Sequence, residues 1–249
     1  MANAASPRGG GPAVARRHVP STWMYHSVSP SLDPDPHLLR VHPQRFDQQL
    51  RTLHRLGIRG VSLGEALAGQ TRRSVALTFD DGYADFASDV MPALARYGMT
   101  ASVYIVAGRL AGTNDWDATA PQVPLMTADD VRAAAGAGHE VGSHSLTHAH
   151  LPGVDAEVLG REVADSRRLL EEVVQAPVRG FCFPYGEHDD AAVEAVRAAG
   201  YEYACLTNHY GRQDRHRLPR YYVGQRDGPL RLLAKELRHR RSRRPWDGR

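Results

Sequence analysis

The sequence lacks any apolar run that approaches the ~18 consecutive residues needed to span a membrane. It also lacks an apolar core of the secretory type near its start, where residues 1–20 are rich in Ala, Gly, Pro and Arg. These absences predict a cytoplasmic protein with no membrane span and with residues 1–20 as a disordered N-terminal arm.

Cysteine is scarce, because Cys182 and Cys205 are the only two in 249 residues. Two cysteines cannot form a disulfide scaffold in a chain of this size. Each lies in an apolar run, which predicts a pair of reduced thiols in the core. The 42% hydrophobic composition is sufficient to bury the core of one large domain.

Positive charge is concentrated at the end of the chain. Residues 231–249 contain eight Lys and Arg against two Asp and Glu, whereas the net charge of the whole sequence is only +3. This basic C-terminal tail is interpreted either as a solvated helix end or as a segment attracted to an anionic polymer or surface. We expect no nucleic-acid partner.

Short apolar runs alternate with segments of helical spacing. The predicted strands are residues 22–26, 75–79, 100–106, 139–143, 178–183, 201–206 and 220–223. Such alternation predicts an α/β fold with a parallel sheet and crossover helices. About six or seven repeats in one domain favour a barrel, although periodicity leaves an open doubly wound sheet possible. In either fold we expect the chemistry at the carboxyl ends of the strands.

Two adjacent carboxylates, Asp80 and Asp81, follow the predicted strand 75–79 in the run Thr-Phe-Asp-Asp-Gly. Like charges so close oppose each other's ionisation, and a bound cation relieves that cost. One aspartate is then free to bind metal while the other acts as a base. An ordinary polar turn is the alternative interpretation of this motif.

Two histidines, His144 and His148, follow the next-but-one strand in Gly-Ser-His-Ser-Leu-Thr-His. Their i, i+4 spacing predicts one face of a helical turn, from which both rings reach a single metal. A third motif, Phe-Pro-Tyr-Gly at 183–186, ends another strand. Its turn is suited to aiming a backbone N–H from Tyr185 into the mouth of the barrel, as an oxyanion donor.

These three motifs in this order resemble the polysaccharide deacetylase family, the NodB homology domain of carbohydrate esterase family four, over about residues 71–223. The resemblance implies a single distorted (β/α)7 barrel, which we place at residues 21–230, and a divalent metal, most often zinc. It implies Asp80 as the general base and the Tyr185 N–H as part of the oxyanion hole. The implied metal ligands are Asp81, His144 and His148.

The sequence departs from many members of this family in the third motif, where an arginine that pairs with the base is replaced by Cys182. We predict that Arg220, in Leu-Pro-Arg at the start of a late strand, substitutes for it. If so, an Arg220→Ala variant should not keep unchanged activity across pH.

A second departure concerns the acid that protonates the leaving amine. Those relatives carry a late Leu-x-His, which no predicted strand after residue 201 supplies; the triplet occurs there once, as Leu237-Arg238-His239 in the basic tail. His26, in Trp-Met-Tyr-His-Ser-Val, resembles the Tyr-His element of the branch that includes poly-N-acetylglucosamine deacetylases, where an early histidine has the acid role. We predict that role for His26, with His209 and His216 as loop alternatives.

The predicted activity is metal-dependent removal of an N-acetyl group from an amino sugar, oligosaccharide or polysaccharide, with release of acetate. The enzymatic alternative is hydrolysis of another non-peptide C–N bond in a small biosynthetic intermediate. Two other classes stay open: a glycan- or metal-binding module without catalysis, and a binder of anionic polymers through the tail after Leu230.

Overall fold

The computed structural model describes residues 17–69, 73–207, 214–242 and 245–246. The predicted strands form, together with several shorter ones that the sequence did not indicate. The strands are β1 (Arg17–His18), β2 (Thr22–Tyr25), β3 (Ser27–Val28), β4 (Arg40–Val41), β5 (Arg59–Val61), β6 (Ser74–Phe79), β7 (Ser102–Ile105), β8 (Glu140–Ser143), β9 (Gly180–Cys182), β10 (Tyr203–Cys205), β11 (Tyr221–Tyr222) and β12 (Pro245–Trp246).

Seven of these strands form a curled parallel sheet in the order β10-β9-β8-β7-β6-β2-β11. Just before β11, Leu218 pairs in parallel with Cys205 of β10, which brings the two edges of the sheet together. The predicted distorted (β/α)7 barrel is therefore confirmed. The unpredicted strand β5 pairs with the beginning of β6, and β3–β4 and β1–β12 are separate two-stranded pairs.

The helices lie between the strands, as crossovers in a parallel sheet require. They are α1 (Pro43–Arg55), α2 (Leu63–Ala68), α3 (Met91–Ala95), α4 (Ala128–Gly136), α5 (Ala156–Gly160), α6 (Ser166–Val174), α7 (Asp190–Ala198) and α8 (Pro229–Ser242). Local sequence explains several ends. Thr127 and Asp130 form a capping box at the start of α4, and Ser62 caps α2.

Two helical stretches of the chain each contain a π-helical segment, which is one wide turn. Phe86–Val90 precedes α3 as a π-helical segment, and Arg161–Asp165 separates α5 from α6 in the same way. Pro92 has no N–H with which to continue the regular ladder in the first case. The second segment carries the buried Glu162, which is used at the site described below.

The core beside β2 and β6 is aromatic. The Tyr25 ring stacks on Phe79 with centroids 5.1 Å apart, and Phe46 of α1 contacts both rings edge-on. Because successive side chains of a strand point to opposite faces, Tyr25 and Phe79 pack outward against α1. The residue that follows each of them therefore turns toward the barrel interior.

The predicted N-terminal arm lies mostly outside the described residues, which begin at Arg17. The predicted basic tail is helical as far as Ser242, in α8. No helix in the described ranges is long and apolar enough to cross a membrane.

Candidate active site

Side chains from β6 and β8 converge at the carboxyl ends of these strands. The Oδ1 atom of Asp81 lies 3.3 Å from Nε2 of His144 and 3.4 Å from Nε2 of His148. All three side chains are buried, and their ligand atoms lie within 4.8 Å of one another. The structure thus brings together the three residues predicted as metal ligands.

The protonation of His144 indicates that this cluster fits a cation. Its Nδ1 lies 2.8 Å from the Cys182 carbonyl oxygen, which only accepts, so Nδ1 carries the proton in the neutral ring. The Nε2 lone pair then faces the Asp81 carboxylate. Acceptor atoms converging in a buried place repel unless a cation or a proton lies between them. One carboxylate and two imidazoles are a ligand set of catalytic zinc sites that leaves a position open.

A second group, Asp80, His144 and Cys182, also satisfies the distance requirement for a metal. However, the Arg220 guanidinium donates to Asp80 and contacts the Cys182 sulfur at 3.0 Å. A cation bound there would face this guanidinium directly. The Asp81 group is the better candidate.

The loop that carries both histidines is not helical, so the predicted helical turn is wrong. Ser145 and His148 have φ values of 67° and 65°, which lie in the left-handed region rather than in that of a right-handed helix. The loop is held from outside, because Glu162 accepts from the Leu146 N–H (3.0 Å), the Thr147 N–H (2.9 Å) and the Thr147 hydroxyl (2.6 Å). These hydrogen bonds replace those of a helical turn.

Asp80 is held by Arg220 rather than by the cluster. Two hydrogen bonds of 2.6 Å join the guanidinium to the two carboxylate oxygens, with both side chains almost fully buried. Burial raises the pKa of Asp80, but the Arg220 charge and hydrogen bonds outweigh it, so the pKa lies below its ordinary value. Asp80 is therefore a buried anion with a fixed orientation.

Arg220 is fixed in turn by the barrel interior. It donates to the Leu206 carbonyl (2.9 Å), to the Thr78 hydroxyl (3.0 Å) and to the Cys182 sulfur (3.0 Å). Burial raises the pKa of the Cys182 thiol well above its ordinary value, which keeps the thiol neutral beside the guanidinium. The small Cys182 side chain leaves this guanidinium its place beside Asp80.

Of the two candidates for the acid role that the structure describes, His26 and His216, His26 is the one at the site. Its Nε2 is 3.9 Å from Oδ2 of Asp80, and its side chain is 13% exposed. His216 instead contacts the Tyr201 carbonyl through Nε2 (2.9 Å) and accepts from Arg197 through Nδ1. The other loop alternative, His209, lies outside the described residues.

Tyr185 occupies a turn of unusual backbone conformation, with φ 57° and ψ −1°. The neighbouring Gly186 N–H donates to the Phe183 carbonyl, and no hydrogen bond from the Tyr185 N–H is found within the described chain. The Tyr185 ring meets His148 edge-on at 4.5 Å and stacks on His150 at 4.0 Å. The turn therefore lies against the candidate metal centre.

Two residues of the site were not predicted. Trp116 stacks on the His148 ring, with centroids 4.5 Å apart and planes 18° from parallel. The buried Tyr83 has a raised pKa, because burial and the nearby Asp81 charge both disfavour its ionisation. Tyr83 follows Asp-Asp-Gly directly, so its proximity was readable from the sequence. Trp116 lies in a long loop without any such signal.

The barrel carries a buried carboxylate and two imidazoles at the carboxyl ends of its strands. This arrangement is a candidate metal centre for hydrolysis. A family model described as polysaccharide deacetylase matches residues 68–204. The chain belongs to this family.

Curated relatives match at modest identity. YxkH of Bacillus subtilis (strain 168), named as a polysaccharide deacetylase, is 27% identical over 190 residues, which are 74% of this chain and 63% of YxkH. A chitooligosaccharide deacetylase of Bradyrhizobium sp. (strain ANU 289) is 33% identical over 116 residues, 46% of this chain and 47% of that protein. The chain thus spans less than two thirds of the length of these relatives.

Solved structures resemble the barrel. Streptococcus pyogenes deacetylase PplD, in complex with acetate, gives a TM-score of 0.76 at 22% identity, over 88% of this chain and 98% of that one. IcaB from Ammonifex degensii gives 0.73 at 22% identity, over 88% and 97% of the two chains. At 22% identity, this structural similarity supports the fold alone.

Proposed function

We propose that this protein is a metal-dependent hydrolase that removes an N-acetyl group from an amino sugar within a saccharide and releases acetate. One observation carries the proposal: the cluster of Asp81, His144 and His148 lies beside Asp80, which Arg220 holds as an anion. Membership of the polysaccharide deacetylase family and the names of its relatives support the same chemistry.

Asp81, His144 and His148 would hold the metal, and we propose Zn²⁺ because the set of one carboxylate and two imidazoles suits it. When bound, such an ion supplies Lewis acidity toward the acetyl carbonyl and toward water. The donated Nδ1–H of His144 fixes the ring so that its Nε2 faces the cluster.

Asp80 acts as the general base in this proposal. Its low pKa keeps the carboxylate ionised, and its place beside the cluster suits it to accept a proton from the attacking water. Arg220 fixes the direction of that carboxylate, and is a positioning residue rather than a catalytic one. The late arginine thus takes over the function of the arginine that the third motif lacks.

The Tyr185 N–H would donate to the oxyanion of the tetrahedral intermediate, and loss of one such donor costs on the order of a hundredfold in kcat. His26, when protonated, would donate to the departing amine, which leaves poorly without a proton. Its Nε2 lies 3.9 Å from Asp80, so base and acid flank the same space.

The test is acetate release from N-acetylglucosamine oligomers and from acetylated small molecules, with added Zn²⁺ and after chelation. We expect release from oligomers with Zn²⁺ and loss of release in Asp80→Asn. Asp129→Asn, at an exposed carboxylate on α4, is the matched control and should behave as wild type. Release from small amides alone would favour the alternative C–N hydrolase. Zn²⁺ binding without any release would indicate a binding module.

A further inference from the structure

Helix α8 has one side anchored in the protein and another side exposed. Leu232 and Glu236, four residues apart, are buried, and Glu236 accepts from the Ser21 hydroxyl. On a helix these two positions share one face. The helix is therefore fixed in its rotation about its own axis, and its remaining faces have a defined direction.

Another side of α8, next to the anchored one, carries leucines. Leu230, Leu233 and Leu237 are 83%, 36% and 55% exposed, and their i, i+3, i+7 spacing aligns them in one stripe. Scattered exposed leucines are ordinary on protein surfaces, whereas an aligned apolar stripe marks a contact surface.

Two further exposed leucines lie close to this helix. Leu32 (98% exposed) and Leu38 (56%) line a cavity of about 450 Å³ together with Arg231 and Lys235 of α8. The same cavity is lined by two more arginines, Arg40 and Arg226. We call the exposed side of this helix the α8 face: at 3.6 residues per turn, Leu230, Leu233 and Leu237 border it along one edge, and Arg231, Lys235 and Arg238 along the other, next to the cavity.

The charge of the surrounding chain has one dominant sign. Residues 231–249 hold eight Lys and Arg against two Asp and Glu. Two carboxylates of the cavity, Asp35 and Asp227, offset part of this charge, and Asp227 pairs with Arg231 (2.9 Å) and Lys235 (2.6 Å). Arg238 and the arginines later in the sequence add to the excess, which attracts an anionic partner.

We infer that the α8 face binds the surface of an anionic lipid bilayer. A helix whose exposed side carries leucines along one edge and Lys and Arg along the other has the amphipathic pattern of helices that lie in a membrane interface. A polyanion such as a charged glycan would use the cations but leave the leucines exposed to water. A protein partner would bury the leucines but would not call for such an excess of one charge.

The same geometry gives the bound protein an orientation. Tyr222, in β11, also lines the cavity, and β11 pairs with β2, the strand that His26 follows. The α8 face therefore adjoins the end of the barrel at which the candidate active site lies. A membrane-bound molecule would act on substrates close to the bilayer. This inference concerns binding and does not depend on the proposed reaction.

The test is co-sedimentation of the full chain with vesicles of phosphatidylglycerol and phosphatidylcholine, against vesicles of phosphatidylcholine alone. We expect binding to the anionic vesicles that weakens as salt rises, because exposed charges are screened. A triple variant, Leu230→Ser, Leu233→Ser and Leu237→Ser, should bind at least tenfold more weakly. The double variant Arg231→Gln and Arg238→Gln should bind several-fold more weakly.

Leu56→Ser, at the exposed leucine that ends α1, is the matched apolar control and should bind as wild type. Urea unfolding of each variant without vesicles checks that its fold is intact. Equal binding to both vesicle types, no binding, or wild-type binding by the triple variant would overturn the inference. So would binding to a soluble polyanion alone, or concentration-dependent self-association through the leucines without lipid.

Discussion

Replacement of Arg220 by methionine is the most decisive perturbation that the structure offers. Methionine keeps much of the side-chain volume but removes both 2.6 Å hydrogen bonds to Asp80, whose side chain is only 2% exposed. Breaking a buried ion pair from one side typically costs about 3–5 kcal/mol, because the remaining charge stays buried without a partner. Total stabilities are commonly about 5–15 kcal/mol, so the loss is large.

We therefore expect Arg220→Met to lower the free energy of unfolding in urea by about 3–5 kcal/mol, measured on metal-free protein. Asp80→Asn removes the other charge, and the double variant removes both. The double variant should lose less than the sum of the two single losses, with a coupling energy of about 2 kcal/mol or more. Arg132→Met, which breaks only an exposed pair with Asp129, should cost less than about 1 kcal/mol.

A second substitution, which places an arginine at position 182 on another strand, extends this prediction. Cys182 lies 3.0 Å from the Arg220 guanidinium and stands where many members of the family carry the arginine of the third motif. Cys182→Arg should therefore restore part of the unfolding free energy, and part of any acetate release, when added to Arg220→Met. An Arg220→Met protein within about 1 kcal/mol of wild type, without coupling to Asp80, would refute the reasoning.

Three further perturbations test other parts of the structure. The buried Nδ1 of His148 has no hydrogen-bond partner among the described residues, so stacking on Trp116 is what orients the His148 ring. Trp116→Ala should therefore weaken Zn²⁺ binding about 10–100-fold in a chelator competition, whereas Trp116→Phe should bind normally. Glu162→Ala should lower the free energy of unfolding in urea by about 2 kcal/mol, since it frees three donors of the loop, and an effect under about 0.5 kcal/mol would contradict this. Burial raises the pKa of Asp85 to about 6, so the native state keeps this proton to higher pH than the unfolded chain does, and it loses stability as the pH rises from about 4 to 6. The free energy of unfolding of Asp85→Asn, relative to that of the wild type, should therefore rise by about 2 kcal/mol between pH 4 and pH 7. A difference that does not change with pH would contradict this prediction.

The barrel and the convergence of the site were predictable, because buried parallel strands leave a strong apolar pattern and their carboxyl ends meet at one end of the fold. Asp80 and Arg220 are 140 positions apart, yet the cysteine at position 182 indicated that a cation had to come from elsewhere. An unpaired aspartate is costly to bury, so when its usual arginine is missing from a motif, a substitute cation can be sought elsewhere in the sequence.

The conformation of the histidine loop was not predictable in the same way. The i, i+4 spacing of His144 and His148 suggested a helical turn, but the loop takes its hydrogen bonds from Glu162, which is distant in sequence. Tertiary contacts that satisfy backbone donors override local spacing. Strand β5 and the placement of Trp116 were missed for a related reason, since neither leaves a periodic pattern.

The adjacent aspartates have separate tasks because the backbone turns between them. Asp80 continues the alternation of β6 and points to Arg220 inside the barrel, whereas Asp81 has φ 70° and carries its carboxylate to the histidines. Gly82 continues the turn with φ 71°, where a Cβ atom would lie 3.0 Å from Ile105 Cδ1. Each charge thereby gains its own partner, so the repulsion expected of neighbouring carboxylates is offset twice. The same turn commits one carboxylate to the candidate metal and leaves the other as an oriented base, a division that neither residue type alone would produce.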